Sequence, residues 1–282
     1  FIMAACATVP VTQRKQIKLI PNSTMFATSF QQYGNFLKEN KLSTDQSKTK
    51  MVKNVGYKIQ KAVEKYFADK GMSSSLKGYN WDFNLVESKD VNAWCMPGGK
   101  VVVYTGILPI TQDENGLAVV MGHEIAHAIA DHGNERMSQG MLQQYGGVAL
   151  SVALQNKPQE TQALWMTAYG VGSYYGALLP YSRLHESEAD HLGLIFMSIA
   201  GFNPQASIPF WQRMAEASGG QAPPEFMSTH PSNETRISNL QKWMPEALKY
   251  YNGDKGTGGP GKPDGGSGTG ASGDPKKVKL GG

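Results

Sequence analysis

A repeating pattern of apolar residues predicts the first long helix of the chain. Apolar side chains recur at three- and four-residue spacing at Val52, Val55, Ile59, Val63 and Phe67. This spacing places them on one face of an α-helix, and the lysines between them fall on the solvated faces. We expect Ser43 or Thr44 to cap this helix, which ends near residue 69.

Two short stretches with a different pattern predict β-strands. Residues 79–87 alternate apolar and polar side chains, whereas residues 100–105 (KVVVYT) are β-branched and aromatic. Pro97-Gly98-Gly99 has the composition of a tight turn and precedes the second strand. Together these features predict a small sheet.

Three more helices are predicted further along the chain. Thr111 followed by Glu114 matches the capping box ahead of an apolar run, so a helix should span residues 112–132. Two others are predicted over residues 182–200 and 232–250. Since the strands and helices do not alternate regularly, the predicted fold class is α+β and mostly helical.

Composition then narrows the classes of protein. The chain has 282 residues, a net charge of +4 and 40% hydrophobic residues, enough for a buried core. Residues 252–282 hold 12 of the 32 glycines and five lysines, and we predict that this tail is disordered. The sequence contains no run of 18 apolar residues, so no transmembrane helix is predicted. It also contains no dense basic patch that would suggest a nucleic-acid partner.

The first residues read FIMAAC and resemble the end of a bacterial lipoprotein signal. Cys6 would then be lipidated and attach the protein to a membrane. Residues 1–20 would form a stub and spacer, with residues 7–16 as the polar part. The alternative is a stray apolar stub in which Cys6 is an ordinary thiol.

The chemistry centres on residues 123–127, which read H-E-I-A-H inside the predicted helix. His123 and His127 project from one helix face, so both imidazoles can bind one zinc ion. Glu124 can accept a proton from a water molecule that the metal acidifies. A solvated helix with incidental histidines is disfavoured, because the neighbouring residues are apolar and buried histidines need polar partners.

A catalytic zinc site needs a third protein ligand and an open position for water. His132 has the wrong spacing from His127 for the short motif and is interpreted as a helix-end residue. Glu186 and Asp190 share one helix face, whereas Glu188 points elsewhere. Glu186 is the candidate ligand, and Asp190 is placed to accept the second ring proton of a ligand histidine.

Two alternatives remain open for this segment. His185 is a rival ligand, although it lies about 100° around the helix from Glu186. The segment could also be an acidic, solvated helix turn without a metal.

Four motifs follow one another in a fixed order. H-E-I-A-H is followed 59 residues later by E-S-E-A-D at 186–190, an E-x-x-x-D pattern. Residues 92–99 read NAWCMPGG, and residues 228–236 read STHPSNETR. This set resembles the zinc peptidase family that includes the bacterial heat-shock protease HtpX, the CAAX prenyl endopeptidases and mitochondrial Oma. The matched motifs run from about residue 50 to 245.

The resemblance implies a zincin-like single domain over residues 21–251, with the small sheet packed beside the metal-binding helix. It implies one Zn²⁺ per chain, bound by His123, His127 and Glu186, with Asp190 as the supporting aspartate.

The resemblance also implies roles outside the metal ligands. A sheet edge would bind extended substrate through main-chain hydrogen bonds, and its residues are Lys100, Val101, Val102, Val103 and Tyr104. His230 would donate a hydrogen bond to the oxyanion as a catalytic residue, or would ligate zinc in a closed, latent state. Arg236 would contact the substrate or pair with an acid near the helix start.

The segment 140–180 has few charges and two interpretations. It is either a mobile helical pair that covers the cleft or touches a membrane, or a pair of helices packed closely through small residues.

We therefore predict a zinc metalloendopeptidase that cleaves unfolded or misassembled proteins. Its predicted location is the periplasmic side of a bacterial envelope, as an outer-membrane lipoprotein. The alternative is a chaperone or assembly factor with little or latent proteolysis. A purely structural zinc site is a third possibility, with four tight ligands.

Overall fold

The computed structural model describes residues 6–157, 159–173, 179–217, 226, 230 and 235–251. Its strands are β1 (Cys6–Thr8), β2 (Lys15–Ile17), β3 (Asp82–Val86), β4 (Ala93–Met96) and β5 (Lys100–Tyr104). Its helices are α1 (Asn22–Glu39), α2 (Gln46–Asp69), α3 (Leu108–Thr111), α4 (Glu114–Ile129), α5 (His132–Leu154), α6 (Gln159–Ser173), α7 (Leu179–Ile199), α8 (Ser207–Ala217) and α9 (Arg236–Tyr250). The predicted fold class, α+β and mostly helical, is confirmed.

Helix α2 buries the apolar stripe that its sequence predicted. All five residues of the stripe are buried in the main hydrophobic core. Its cap is Asp45, whose carboxylate accepts a hydrogen bond from the Lys48 amide, and not Ser43 or Thr44. The Ser43 hydroxyl instead donates to Glu87 at 2.6 Å, so it ties the helix start to the chain beyond β3.

The three-stranded sheet has the order β3-β5-β4. Strand β3 pairs with β5 in parallel, with Phe83 opposite Val101, and β4 pairs with β5 in antiparallel. Gly98 and Gly99 form the turn between β4 and β5 with φ near +85°, a backbone conformation that favours glycine. The predicted turn is therefore present and closes the β4–β5 hairpin.

The prediction that β5 forms a free sheet edge is wrong. Strand β5 is the central strand, with hydrogen-bonded neighbours on both sides. Val101, Val102 and Val103 are fully buried, as expected for a β-branched run with both faces covered. The Lys100 ammonium lies over the Phe30 ring, 4.9 Å from its centre. These side chains and Tyr104 therefore belong to the sheet interior, and no substrate strand can pair with β5.

Helix α4 lies at the centre of the fold. Nearly its whole length, from Gly116 to Ile129, is buried, and it packs against α7, α2 and β4. The helix starts two residues later than predicted, because Asp113 caps it by accepting a hydrogen bond from the Gly116 amide. It ends before Asp131, whose left-handed backbone (φ 57°) separates α4 from α5.

The N-terminal hairpin, formed by β1 and β2, contacts the rest of the fold. Val9 is fully buried in the main core. Beyond β2, the Leu19 amide donates to the Ser138 hydroxyl at 2.9 Å, and Asn134 donates to the Ile20 carbonyl at 2.7 Å. Residues 7–16 are thus packed structure and not the predicted spacer. The predicted tail, residues 252–282, and the first five residues lie outside the described residues.

Helices α5 and α6 form a second hairpin, within the low-charge segment. Tyr169 of α6 packs over Gly146 and Gly147 of α5, and its hydroxyl donates to the Gln143 carbonyl at 2.8 Å. Large apolar side chains remain exposed on both helices: Met137, Leu142, Tyr145, Val148, Val152, Leu164, Trp165, Met166 and Val171. In the described part of the chain, no helix combines the length and apolar character needed to cross a bilayer.

Candidate active site

Two helices bring the predicted metal ligands together. Helix α4 supplies His123 and His127, whose Nε2 atoms lie 3.1 Å apart. Helix α7 supplies Glu186, with Oε2 at 3.4 Å from His123 Nε2 and Oε1 at 3.4 Å from His127 Nε2. All three side chains are buried. The one-turn spacing of the two histidines therefore aims both imidazoles at the same carboxylate.

His230 completes a cluster of four donors. Its Nδ1 atom lies 3.3 Å from His123 Nε2 and 3.1 Å from Glu186 Oε1. The ligand atoms of His123, His127, Glu186 and His230 all lie within 4.8 Å of one another. In a tetrahedral site with bonds of about 2.0–2.1 Å, donor atoms lie about 3.4 Å apart. The donor spacing and the histidine–carboxylate chemistry therefore fit a divalent metal such as zinc.

Asp190 lies one helical turn beyond Glu186 and contacts the ring nitrogen of His123 that is not part of the donor cluster. Its Oδ1 atom is 2.9 Å from His123 Nδ1. A metal-ligating histidine commonly donates its other ring proton to such a carboxylate, which fixes the tautomer and the ring orientation. The contact leaves His123 Nε2 directed at the donor cluster.

Glu124 lies next to the cluster without joining it. Its side chain is buried, and its Oε1 atom has no hydrogen-bond partner among the described residues. The Nε2 atom of His230 lies 3.5 Å from this oxygen. Burial raises the pKa of the carboxyl group, which suits a base that works near neutral pH.

Arg236, at the first turn of α9, binds the carboxylates of Glu186 and Asp190. Its Nε donates to Asp190 Oδ2 at 2.7 Å and its Nη2 to Glu186 Oε2 at 3.0 Å. The guanidinium also lies 3.9 Å above the centre of the Trp211 ring. The side chain is buried by these contacts, so the predicted pairing with an acid is observed, and the substrate contact stays a prediction.

The electrostatics of the cluster favour a cation at its centre. Burial lowers the pKa of His123, but hydrogen bonds to Asp190 and Glu186 outweigh it and raise this pKa to about 10. Burial alone would raise the pKa of Glu186, yet hydrogen bonds from the three histidines hold it below its usual range. Burial lowers the pKa of His127 well below its usual range. A neutral His127 with an ionised Glu186 is the state that a metal ion requires, whereas His123 has to release its second proton when a metal binds.

A second group of buried polar residues was missed by the sequence analysis. His132 begins α5, and its Nδ1 atom lies 2.9 Å from His127 Nδ1. His185 binds Glu135 at 2.8 Å and stacks on the His132 ring, so it is not a metal ligand. Glu188 points toward His132. Helical periodicity could not predict the contact between His127 and His132, because the left-handed Asp131 breaks the helix between them.

Comparison with known proteins identifies the family. The family described as Peptidase family M48 matches residues 56–244, more than half of the chain. The chain belongs to peptidase family M48. This result confirms the resemblance seen in the motifs, and the metallopeptidase class that they predicted.

The relatives of this M48 chain come from mitochondria and bacteria. It is 36% identical to the mitochondrial metalloendopeptidase OMA1 of Saccharomyces cerevisiae, over 68% of the chain and 56% of the relative. The mitochondrial OMA1 of Bos taurus is 32% identical, over 85% of the chain and 46% of the relative. The β-barrel assembly-enhancing protease of Escherichia coli is 28% identical, over 56% and 33%. The chain spans about half the length of the OMA1 relatives.

These relatives overturn the predicted location. The M48 proteins that are 36% and 32% identical are mitochondrial, and the bacterial relative is less similar. The prediction of a bacterial outer-membrane lipoprotein on the periplasmic side is therefore wrong. Lipidation of Cys6 is not tested, because its side chain lies outside the described residues.

Proposed function

We propose that this chain is a zinc-dependent metalloendopeptidase that cleaves unfolded or misassembled proteins. The observation that carries the proposal is the convergence of His123, His127, Glu186 and His230 at tetrahedral donor spacing. Glu124 lies beside this cluster, and within the described residues its Oε1 atom accepts no hydrogen bond, with His230 Nε2 at 3.5 Å. The similarity to the OMA1 proteins supports a mitochondrial location for this activity.

In the proposed mechanism, the protein positions a water molecule and moves its proton. When bound, zinc supplies Lewis-acid polarisation of the scissile carbonyl and acidifies the attacking water. Glu124 takes the proton from that water and passes it to the leaving amine, which the position of its buried carboxylate supports. Asp190 holds the His123 ring in the tautomer that directs Nε2 at the cluster. Arg236 orients Glu186 by donating a hydrogen bond to its Oε2 atom.

Strand β4 is the best candidate for substrate binding. Within the described residues it pairs with β5 on one side only, and it packs directly on the metal-binding helix α4. An extended peptide can add to such an edge through main-chain hydrogen bonds, which read little side-chain sequence. This mode of binding suits substrates that are recognised because they are unfolded.

His230 supports a closed, latent arrangement of the site. Its ring stands between the donor cluster and Glu124, with Nδ1 near Glu186 and Nε2 3.5 Å from Glu124. A water molecule must occupy this region for Glu124 to activate it. The position is fixed by Phe226, whose ring stacks on His230 and whose amide donates to the Val91 carbonyl just before β4. We therefore assign His230 to the fourth ligand position, in place of the oxyanion donor.

The decisive test is the variant Glu124→Gln, made in the wild-type chain and in a His230→Ala background. It should bind one zinc ion per chain but lose cleavage of an unfolded protein such as casein by at least about 100-fold. Glu64→Gln, an exposed helix position, is the matched control and should cleave normally. Cleavage by Glu124→Gln at the rate of its parent would exclude the proposed mechanism.

The same variants separate the alternative functions. The latent geometry of His230 is the observation that favours a chaperone or assembly factor with little proteolysis. That function predicts that Glu124→Gln still suppresses aggregation of an unfolded protein, while neither background cleaves it. A purely structural zinc site predicts neither activity, together with loss of zinc in His230→Ala.

A further inference from the structure

A chain of hydrogen bonds, partly buried at the hairpin and buried at the histidines, connects the N-terminal hairpin to His127. The Thr12 hydroxyl and the Arg14 Nε donate to the two oxygens of Glu188, at 2.6 Å and 2.9 Å. Glu188 Oε2 lies 3.3 Å from His132 Nε2. His132 Nδ1 lies 2.9 Å from His127 Nδ1. We call these residues, Thr12, Arg14, Glu188 and His132, the His132 relay.

When a metal is bound, the hydrogen bonds of the relay can run in only one direction, from His127 through His132 to Glu188. His127 faces the donor cluster with Nε2, so as a ligand it carries its proton on Nδ1. That proton is donated to His132 Nδ1, which must then be an acceptor. The proton of His132 consequently lies on Nε2 and is donated to Glu188. The proton position on one histidine therefore determines the tautomer of the other.

Further contacts hold Arg14 and His132 of the relay in place. Arg14 also binds Glu135 through two hydrogen bonds, at 2.8 Å and 2.7 Å. Glu135 in turn accepts from His185 at 2.8 Å, and the His185 ring stacks on His132 with centres 4.3 Å apart. Glu188, Glu135, His132 and His185 are all buried. The His132 ring is therefore held both by its hydrogen bonds and by this stack.

We propose that His132 is a positioning residue for the metal ligand His127, and that the N-terminal hairpin stabilises it by binding Glu188 through Thr12 and Arg14. The inference rests on the proposed function only for the identity of the metal. It gives the hairpin, at residues 6–17, a role in metal binding although none of its residues is a ligand. His132 does for His127 what Asp190 does for His123.

The proposal is tested by metal binding, without any measurement of proteolysis. His132→Leu removes the acceptor for His127, whereas His132→Asn keeps an acceptor near the position of Nδ1. Loss of such a supporting partner typically weakens metal affinity by about 10–100-fold. We expect this loss of zinc affinity in His132→Leu, measured by competition with a chelator, and substantial rescue in His132→Asn. The absorption spectrum of the Co²⁺-substituted protein should also change in His132→Leu.

Controls separate positioning from simple destabilisation. His191 forms a hydrogen bond with Glu246 at 2.8 Å and stacks on Trp243, away from the relay. His191→Leu therefore removes a histidine–glutamate pair outside the relay, although a more exposed one, and should leave zinc affinity unchanged. If His132→Leu does not fold, Glu188→Gln and Arg14→Met test the same relay with nearly conserved volume, and we expect a weaker loss of zinc affinity in each.

Wild-type zinc affinity and an unchanged Co²⁺ spectrum in a folded His132→Leu variant, or in both Glu188→Gln and Arg14→Met, would overturn the proposal. A failure of the proposed peptidase function would appear in the Glu124→Gln assay and would leave these affinities unaffected.

Discussion

Gly122 and Gly193 touch where helix α4 crosses helix α7. A Cβ atom on Gly193 would lie 2.9 Å from the carbonyl carbon of Gly122 and 2.9 Å from the amide nitrogen of His123. Side chains are absent on both helices at this point, so the two backbones come into direct contact. The crossing lies one residue before His123 and three residues after Asp190. It therefore sets the distance between α4 and α7 at the metal cluster.

The first prediction follows from this contact. Gly193→Ala should separate the helices, because the atoms in its way are backbone and cannot rotate aside. We expect a destabilisation of about 1–3 kcal/mol and weaker zinc binding, measured by chemical unfolding and by chelator competition. Gly140→Ala is the control, since it is a helical position with no atom near the added Cβ. It should be neutral or slightly stabilising. Equal behaviour of the two variants would mean that the crossing tolerates a side chain.

The second prediction concerns the charge of Arg236. Arg236→Met keeps the apolar stem but removes the guanidinium charge from the buried carboxylates of Glu186 and Asp190. Breaking a buried ion pair of this kind typically costs about 3–5 kcal/mol. A bound zinc ion would compensate for part of the lost charge. The melting temperature should therefore fall more in the metal-free protein than in the zinc-loaded protein.

Differential scanning fluorimetry with and without zinc checks this difference. Arg213→Met is the matched control, because Arg213 donates to the Ile110 carbonyl at 2.9 Å and, within the described residues, forms no ion pair with Glu186 or Asp190. A loss of stability in Arg236→Met that is equal with and without zinc would indicate a purely packing role for the arginine.

The sequence was most informative where one local pattern carried both structure and chemistry. His123 and His127, and likewise Glu186 and Asp190, are four residues apart on regular helices, so helical periodicity alone predicts that each pair shares a face. The α2 stripe was predictable for the same reason. Strand β5 was recognised as a strand, and its unbroken run of valines in fact favours a central, buried strand over an edge.

The remaining features depend on contacts between segments that are far apart in sequence. Arg236 meets Glu186 and Asp190 only because α9 packs on α7. His132 reaches His127 through a helix break at Asp131, which no periodicity reveals. The cap of α4 was misassigned because Thr111 and Asp113 both precede the apolar run. The structure gives the cap to Asp113, while the Thr111 hydroxyl donates to the Leu108 carbonyl.

A third prediction addresses latency. Removing the His230 ring should open the position between the donor cluster and Glu124, so His230→Ala should cleave unfolded casein faster than the wild-type chain. Zinc should remain bound through His123, His127 and Glu186, with weaker affinity because one donor is lost. If His230 instead stabilises the oxyanion, the same variant should be slower, by about 100-fold or more for a lost oxyanion donor. Initial rates at saturating zinc distinguish the two outcomes by their sign.

The last prediction is a pH dependence of stability that comes from Glu135. Burial raises the pKa of this carboxyl group, but hydrogen bonds from Arg14 and His185 outweigh it and lower the pKa from 4.5 to about 2. A group with a lowered pKa stabilises the folded state fully above pH 4.5, and this contribution is lost as the pH falls toward 2. The free energy of unfolding of the metal-free protein should therefore decrease over this range.

Glu135→Gln should be less stable than the wild-type chain at pH 7, because Arg14 and His185 lose a charged partner. It should also show a shallower loss of stability between pH 4.5 and 2, since the titrating group is gone. Urea unfolding at pH 7, 5, 4 and 3 measures both effects, with the exposed variant Glu64→Gln as the control. A pH dependence identical to that of the wild-type chain would mean that Glu135 contributes nothing to acid unfolding, and that other buried carboxylates such as Glu188 account for it.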